Sequence, residues 1–291
     1  MKPPAHDSKD FRLDRAEVRA SFDRASTGYD AAAVLQANVN DELIDRVGFF
    51  KLEPRVVLDL GSGTGRGARA LRNRYPNALI VALDIAPGML RNARSGHVAA
   101  LCADALRIPL ANGSVDLIFS NLMLQWCDDL DAALVEVRRV LTSTGLFAFS
   151  TFGPDTLHEL RAAWAAADDY NHVNRFIDMH DVGDAVMRAG LAEPVLDVER
   201  MQLTYSDTTA LMRDLKAIGA HNVTAGRPRG LTGRSSFETM RAVYETFRKD
   251  GRLPATYEVV YGAAWGTGER TGASPVQGEV RISPSTIRHR T

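Results

Sequence analysis

One apolar segment that runs directly into three alternate glycines constrains this chain more than any other feature of its sequence. The segment at 56–60, VVLDL, has the β-branched and apolar character of a buried strand, and Gly61, Gly63 and Gly65 follow it. Glycine is required where the backbone takes a positive φ or approaches a ligand closely. Because a helical pattern comes next, the segment predicts a ligand-binding loop between a strand and a helix.

Four further strand-like runs alternate with helical patterns after this loop. Together with the first run they lie at 56–60, 79–84, 97–104, 115–121 and 145–152. This alternation predicts an α/β fold in which helices cover a parallel sheet. Two later strand patterns, at 195–205 and 256–265, are separated by helical material at about 207–250. We therefore expect a helical insertion before the last strand.

Two of the helical patterns carry signals for where a helix begins or ends. In the pattern that starts near residue 129, the predicted apolar face comprises Leu130, Leu134, Val137 and Leu141. Gly145 follows this face and predicts the end of the helix. In the pattern at 153–164, Pro154 suits a first helical turn.

The composition indicates a globular protein with a sizeable core. The chain has 291 residues, of which 45% are hydrophobic and 24% charged. Its 35 basic residues nearly balance its 36 acidic ones, giving a net charge of -1. This balance argues against a nucleic-acid partner and against binding to a membrane surface.

The sequence predicts a cytoplasmic protein with one domain and two tails. No run approaches the roughly 18 apolar residues of a membrane span, and the N-terminus lacks the apolar core of a signal peptide. Cys102 and Cys127 are too few for a disulfide framework, which favours a reducing compartment. The polar residues 1–13 and the Gly-, Ser- and Arg-rich residues 266–291 are predicted flexible tails around a domain at 14–265.

Acidic residues accompany three successive strands. Asp59 lies within the first, Asp84 ends the second and Asp104 ends the third. A carboxylate at the second position can accept hydrogen bonds from both hydroxyls of a ribose. Each aspartate alone is more often a cap or turn residue, but three at successive strand ends indicate a ligand site. The dinucleotide fingerprint would require a glycine at 66, where Arg66 stands, which argues against a pyrophosphate cradle.

The segment DLGSGTG, together with Asp84 and Asp104, resembles the class I S-adenosylmethionine-dependent methyltransferases over about 55–152. The resemblance implies their Rossmann-like fold, with a mostly parallel seven-stranded sheet and helices on both faces. It also implies S-adenosyl-L-methionine as cofactor. The cofactor-binding residues that it implies are Asp59, Gly61, Gly63, Gly65, Asp84, Ile85, Asp104, Ala105 and Asn121.

The flanking segments are similar to the malonyl-acyl-carrier-protein O-methyltransferase family of biotin synthesis. The similarity spans about 20–265 and is carried by FDRASTGYD at 22–30, GPDTLHELR at 153–161, the segments 176–199, 203–207 and 211–223, and GL-x-G at 230–233. It implies methyl transfer to the free carboxylate of a malonyl thioester on acyl carrier protein, with the coenzyme A thioester as a second possible substrate. The domain would divide into an N-terminal helical segment at 14–52, a donor-binding core at 55–152 and an acceptor-side part at 153–265.

Three residues are candidate catalytic residues under this resemblance. The fourth strand runs into Gln125 and Trp126, where amide methyltransferases carry an N-P-P-Y or D-P-P-Y motif that this chain lacks. Both side chains can equally be ordinary packing. Tyr29 is the preferred cover over the sulfonium, because an aromatic face attracts a cation, although it can also be core packing.

A cation is expected to select the malonyl carboxylate, since a neutral acetyl group offers no charge to recognise. The candidates are Arg24, Arg175, Arg213, Lys216, Arg227 and Arg229, each of which taken alone is more often a solvated surface charge. Residues 201–250 hold eight basic and five acidic residues, a weak indication of a face for an acidic carrier protein. The histidines at 158, 172, 180 and 221 show no metal-ligand spacing and are interpreted as structural or acceptor-side polar groups.

Two alternatives use the same fold. The first is a protein like the complex I assembly factor regarded as an arginine hydroxylase, which shares the GPDTL-like stretch. The second is a module that binds S-adenosylmethionine or a carrier protein without chemistry. The F-D-R-A-x-x-x-Y-D signature at 22–30 favours the carboxyl methyltransferase over the first.

Overall fold

A computed structural model describes residues 12–93, 98–220, 222–224 and 233–267. Its strands are β1 Val56–Leu60, β2 Leu79–Asp84, β3 Val98–Cys102, β4 Val115–Asn121, β5 Leu141–Phe152, β6 Ala192–Tyr205 and β7 Leu253–Trp265. Its helices are α1 Arg15–Ala25, α2 Tyr29–Ala32, α3 Val34–Val47, α4 Arg66–Arg74, α5 Pro87–Ala93, α6 Leu130–Val140, α7 His158–Ala165, α8 Met179–Arg188, α9 Thr208–Ala217 and α10 Arg234–Glu245. A 3₁₀ turn lies at Leu124–Trp126.

The strands form a seven-stranded sheet in the order β3-β2-β1-β4-β5-β7-β6. Strands β1 to β5 pair in parallel, and β7 enters antiparallel between β5 and β6. Helices α9 and α10 lie in the chain between β6 and β7, which confirms the predicted insertion. The class I methyltransferase fold is therefore confirmed.

Each face of the sheet is covered by its own apolar core. Successive residues of a strand face opposite sides, so Val57 belongs to one buried cluster and Leu58 to the other. The first cluster includes residues of α3, α4 and the insertion helices, and the second includes residues of α6 and α8. Burial on both faces explains why β1 and β2 are almost continuously apolar.

The predicted end of the sixth helix was wrong. Helix α6 ends at Val140, and Leu141 already has extended backbone and begins β5, where it pairs with Val115. Leu141 is buried as expected, but it is buried as a strand residue. Gly145 therefore lies inside a strand and ends no helix, because parallel pairing with β4 outweighs the helical period.

The predicted start of the next helix was also wrong. Pro154 lies in turns, and α7 begins only at His158. The preceding residues are held by β7: the N–H of Gly153 donates to Glu258 O at 2.8 Å, and that of Leu157 to Thr256 O at 2.7 Å. These bonds to a distant strand replace the first helical turn.

Near both predicted tails, described residues form backbone contacts with other parts of the chain. Leu13, predicted to belong to the N-terminal tail, forms a β-bridge with Thr224. The N–H of Gly266, predicted to begin the C-terminal tail, donates to Gly145 O at 2.9 Å. In the part of the chain that the structure describes, no helix has the length and apolar character needed to cross a membrane.

Candidate functional site

A cleft, here called the loop cavity, lies where the carboxyl ends of β1, β2, β3 and β4 meet. Its walls contain most of the predicted cofactor-binding residues, namely Gly61, Gly63, Asp84, Ile85, Asp104, Ala105 and Asn121. Parallel strands end at one edge of a sheet, so residues far apart in sequence meet there. Of the other two predicted residues, Asp59 lines an adjoining cavity that also includes Gly63, and Gly65 is the N-cap residue immediately before α4.

The loop between β1 and α4 is built on left-handed glycines. Gly61, Gly63 and Gly65 have φ values of 76°, 52° and 85°. A Cβ on Gly65 would lie 2.8 Å from Ala93, whereas a Cβ on Gly63 would meet no atom within 4 Å. Gly65 therefore permits close packing against α5, while the missing side chain of Gly63 leaves open space in the loop cavity.

Asp84 closes the cavity at the end of β2. One of its carboxylate oxygens accepts the N–H of Gly63 at 2.9 Å, and the other accepts that of Ala86 at 2.8 Å. The side chain is buried, and burial raises the pKa of Asp84, opposed by these backbone hydrogen bonds. Each oxygen retains a further lone pair, so Asp84 can accept hydrogen bonds from two ligand hydroxyls.

Asp59 is a buried carboxylate without a complete set of partners. It is 2% exposed, and its Oδ2 has no hydrogen-bond partner. Burial raises the pKa of Asp59 to about 7, against the lowering effect of the Ala68 N–H. An unpartnered acidic oxygen beneath the glycine loop suits a ligand with a cationic end.

Asp104 follows β3 and is covered from above by α1. Its Oδ1 accepts the N–H of Leu106 at 2.9 Å, and its Oδ2 forms an ion pair with Arg15. The Arg15 side chain is half exposed and also lines the loop cavity. The carboxylate predicted to contact an adenine therefore has an intramolecular cationic partner that the sequence did not indicate.

The N-terminal segment is fastened to the sheet core beside the cavity. The carboxylate of Asp23 accepts the N–H of Gly88 at 2.5 Å, and the amide of Asn92 donates to Ser26 O at 2.8 Å. These contacts tie α1 and the turn after it to α5. The segment thereby forms the roof of the loop cavity.

A second cavity adjoins the first and is here called the inner cavity. The two cavities share four wall residues, namely Phe22, Tyr29, Leu122 and Trp126. The rings of Phe22 and Trp126 meet edge to face, with centroids 5.0 Å apart. The rest of the inner wall is mainly apolar, with isolated amide, hydroxyl and imidazole groups.

The three candidate catalytic residues come together at this junction. Tyr29 is partly buried and lines both cavities, and its pKa is raised by burial and by the charges of Asp84 and Asp30. Trp126 also lines both cavities. Gln125 lines the inner cavity, but its amide is engaged by the protein: Nε2 donates to Leu122 O at 2.7 Å.

The predicted carboxylate-binding cations do not come together. Arg24, Arg213 and Lys216 are exposed and line neither cavity. Arg175 lies in a wide outer groove instead. Arg227 and Arg229 fall outside the described residues.

Sequence reasoning missed residues that face the loop cavity from α1. Arg15, Val18 and Phe22 all line it, and their spacing of three and four residues places them on one face of the helix. The spacing predicts that the three side chains share one helix face, but nothing in the local sequence indicates which part of the protein that face covers. Among the described residues, no cluster of His, Cys, Asp or Glu is arranged to hold a metal ion.

A family model described as "Methyltransferase domain" matches residues 58–149. The matched segment runs from β1 into β5 and contains the glycine loop, Asp84 and Asp104.

Full-length relatives extend the match over nearly the whole chain. A malonyl-[acyl-carrier protein] O-methyltransferase of Methylovorus sp. (strain MP688) is 51% identical over 95% of this chain and 98% of its own. The protein of the same name from Laribacter hongkongensis is 54% identical over 88% of this chain and 90% of its own.

Solved structures with low sequence identity share the fold. The YcgJ protein of Bacillus subtilis has a TM-score of 0.56 at 15% identity, over 78% of this chain and 98% of its own. Phosphoethanolamine N-methyltransferase 2 of Haemonchus contortus, solved with S-adenosyl-L-methionine, has a TM-score of 0.52 at 16% identity, over 92% of this chain and 62% of its own.

Proposed function

The chain belongs to the malonyl-[acyl-carrier protein] O-methyltransferase family, and on that premise we propose how its cavities carry out the reaction. The enzyme transfers a methyl group from S-adenosyl-L-methionine to the free carboxylate of a malonyl thioester on acyl carrier protein. The observation that carries the proposed site is the junction of the loop cavity and the inner cavity at Tyr29 and Trp126. Among the described residues, this is where the walls of the two cavities meet, so a donor on one side and an acceptor on the other come together there.

The loop cavity fits S-adenosyl-L-methionine, which supplies a methyl group carried on a sulfonium. In this proposal Gly63 leaves room for the amino-acid portion, and Asp84 accepts the ribose hydroxyls. Ile85, Asp104 and Ala105 line the part of the cavity assigned to the adenine. Asp59 and Asn121 complete the amino-acid side, where Asn121 is fixed by donating to Gln36 O at 3.0 Å.

The protein's own contribution is positioning. A carboxylic acid with a pKa of about 4 is already ionised near neutral pH, so the acceptor needs no general base. The walls must instead align the acceptor oxygen with the methyl carbon and remove water from that oxygen. Phe22, Leu122 and Trp126 form an apolar wall at the junction that serves this purpose.

Tyr29 acts as a wall and not as a base. Burial and the neighbouring charges of Asp84 and Asp30 raise its pKa, so the phenol stays protonated near neutral pH. Its ring is assigned to the cover over the donor's cationic centre. Gln125 is assigned to positioning, because its amide holds the 3₁₀ turn that presents Trp126.

The partner is assigned as acyl carrier protein bearing a malonyl thioester, with malonyl-coenzyme A as a second candidate substrate. The exposed cations Arg213 and Lys216 on α9 suit contact with an acidic carrier. Both cysteines are free thiols, which suits a reducing compartment, and we assign the reaction to the cytoplasm. The names of the relatives favour methyl transfer over arginine hydroxylation.

A transfer assay tests this function. Purified protein is given methyl-labelled donor and either malonyl- or acetyl-carrier protein. We expect label in the malonyl sample only, released by mild base as expected of an ester. Absence of label, or equal label in both samples, would contradict the assignment.

A further inference from the structure

The inner cavity contains one described wall residue that can carry a positive charge. Its polar lining comprises Tyr29, Gln36, Gln125, Thr156, His172, Asn174, Asn222 and Tyr257. Neither Lys nor Arg is among the described lining residues, and neither is Asp or Glu. Among the described lining residues, a carboxylate that enters this cavity therefore finds a cation only at His172.

The imidazole of His172 is held in place by two contacts. It lies parallel to the indole of Trp164, with centroids 3.7 Å apart and planes 9° apart. Its Nε2 lies 2.7 Å from Oδ1 of Asp168. The His172 side chain is 9% exposed, and in the described part of the chain no hydrogen bond is formed by its Nδ1. An imidazolium bonded to Asp168 through Nε2 thus keeps a second N–H donor.

The loop that carries His172 is itself anchored. The amide of Asn171 donates to the hydroxyl of Thr224 at 3.2 Å, and the amide of Asn222 donates to Asn171 O. Asp168 also accepts the N–H of Tyr170 at 3.0 Å, so the carboxylate that orients the imidazole is fixed too. A preorganised charged donor loses little freedom when it binds a carboxylate.

Arg161 on α7 is an alternative cation, and two of its five N–H donors are engaged by the backbone. Its two terminal nitrogens donate to Pro154 O at 2.9 Å and Thr156 O at 2.8 Å. Arg161 lines the outer groove and not the inner cavity. It supports the wall at Thr156 from behind.

We infer that His172, oriented by Asp168 and stacked on Trp164, binds the non-attacking oxygen of the malonyl carboxylate and so selects an acidic acyl group over a neutral one. This inference rests on the proposed function and assigns the recognition to a residue outside the six predicted cations. His172 is the specificity-determining residue, and Asp168 is a positioning residue. The other titratable groups that face the inner cavity are the phenols of Tyr29 and Tyr257, whose pKa values are both raised, chiefly by burial.

The test compares binding of a charged and a neutral ligand to the intact protein. Dissociation constants are measured for malonyl-carrier protein and for its methyl ester, with S-adenosylhomocysteine present. His172→Gln, which keeps a neutral donor, is expected to weaken malonyl binding by about 10- to 100-fold and to leave methyl-ester binding within about twofold. Asp168→Asn is also expected to weaken malonyl binding, but by less than His172→Gln.

His180→Gln is the matched control. His180 also bonds an aspartate, with Nδ1 2.8 Å from Asp178 Oδ1, but its side chain is 84% exposed and lines neither cavity. We expect unchanged binding of both ligands.

Three results would overturn the inference. The first is unchanged malonyl binding in His172→Gln, and the second is an equal loss of affinity for both ligands in that variant. The third is that Arg227→Gln or Arg229→Gln loses the preference for the malonyl ligand while His172→Gln retains it. Because these experiments measure binding, they test the role of His172 independently of methyl transfer. A wild-type protein that binds malonyl-carrier protein but transfers no label would contradict the proposed function alone.

Discussion

The two sides of the proposed site are built from very different stretches of chain. The loop cavity takes Asp84, Asp104 and Asn121 from the ends of β2, β3 and β4, and its glycine loop from the end of β1, each within a few residues of a recognisable strand. The inner cavity draws on α2, α3, the 3₁₀ turn, the loop before α8, the insertion and β7. A site assembled at parallel strand ends can be located from local sequence, whereas a site assembled between elements depends on tertiary packing. The two sides should therefore respond differently to substitution.

The largest expected effect is on the donor side, at Gly63. In Gly63→Leu the new side chain extends into the open space of the loop cavity, and donor binding should be lost by calorimetry. Gly113→Leu is the matched control, since Gly113 has a φ of 59° and nothing within 4 Å of its Cβ, but lies on the surface. Both variants carry about 1–2 kcal/mol of left-handed strain. Equal donor affinity in the two variants would show that the donor does not bind at this loop.

The second effect is a pH dependence of stability that originates at Asp59. The pKa of Asp59 is about 7 in the fold, against 3.8 ordinarily, so the folded state keeps a proton that the unfolded chain releases. The contribution is fully present below pH 4 and is lost as pH rises from about 4 to about 7, by roughly 3–4 kcal/mol. In urea titrations without donor, Asp59→Asn should gain stability relative to wild type across that window. A constant difference between the two proteins would show that Asp59 is ionised throughout.

The third effect concerns binding of the ribose of the donor. Asp84→Ala should weaken donor binding by roughly 1–3 kcal/mol, because the ribose loses its acceptor. Asp84→Asn keeps an acceptor oxygen and should lose less. The affinity for malonyl-carrier protein should change little in either variant, since Asp84 does not line the inner cavity. Unaltered donor affinity in Asp84→Ala would take this residue out of the site.

The smallest effect is expected from Tyr29→Phe. The ring remains, and the protonated phenol has no role as a base, so kcat should fall by less than about threefold and its pH profile should not shift. Tyr29→Leu removes the aromatic face and should lower kcat further. A hundredfold loss in the phenylalanine variant would instead place the hydroxyl in the reaction.

The same contrast explains what the sequence could predict. The bounds of β1, β2 and β4 were predicted to the residue, because buried parallel strands leave a local apolar signal. The fold brings Gly63, Asp84, Asp104 and Asn121 to one edge of the sheet, because parallel strands end at the same edge.

Contacts between distant parts of the chain could not be predicted from local sequence, for a physical reason. Arg15 and Asp104 form an ion pair between distant parts of the chain, and no local sequence pattern predicts such a pair. Charge alone selected Arg24 and Lys216, which the fold leaves exposed. His172 owes its position in part to packing against Trp164, a contact that residue spacing does not reveal. The starts of α7 and β5 were likewise decided by pairing with other strands.

A crystal structure with S-adenosylhomocysteine and malonyl-carrier protein tests the central claim most directly. We expect the ribose on Asp84, the sulfur between Tyr29 and Trp126, and the malonyl group in the inner cavity with its carboxylate aimed at the sulfur. A product whose sulfur faces away from the inner cavity, or a malonyl group seated elsewhere, would contradict the account.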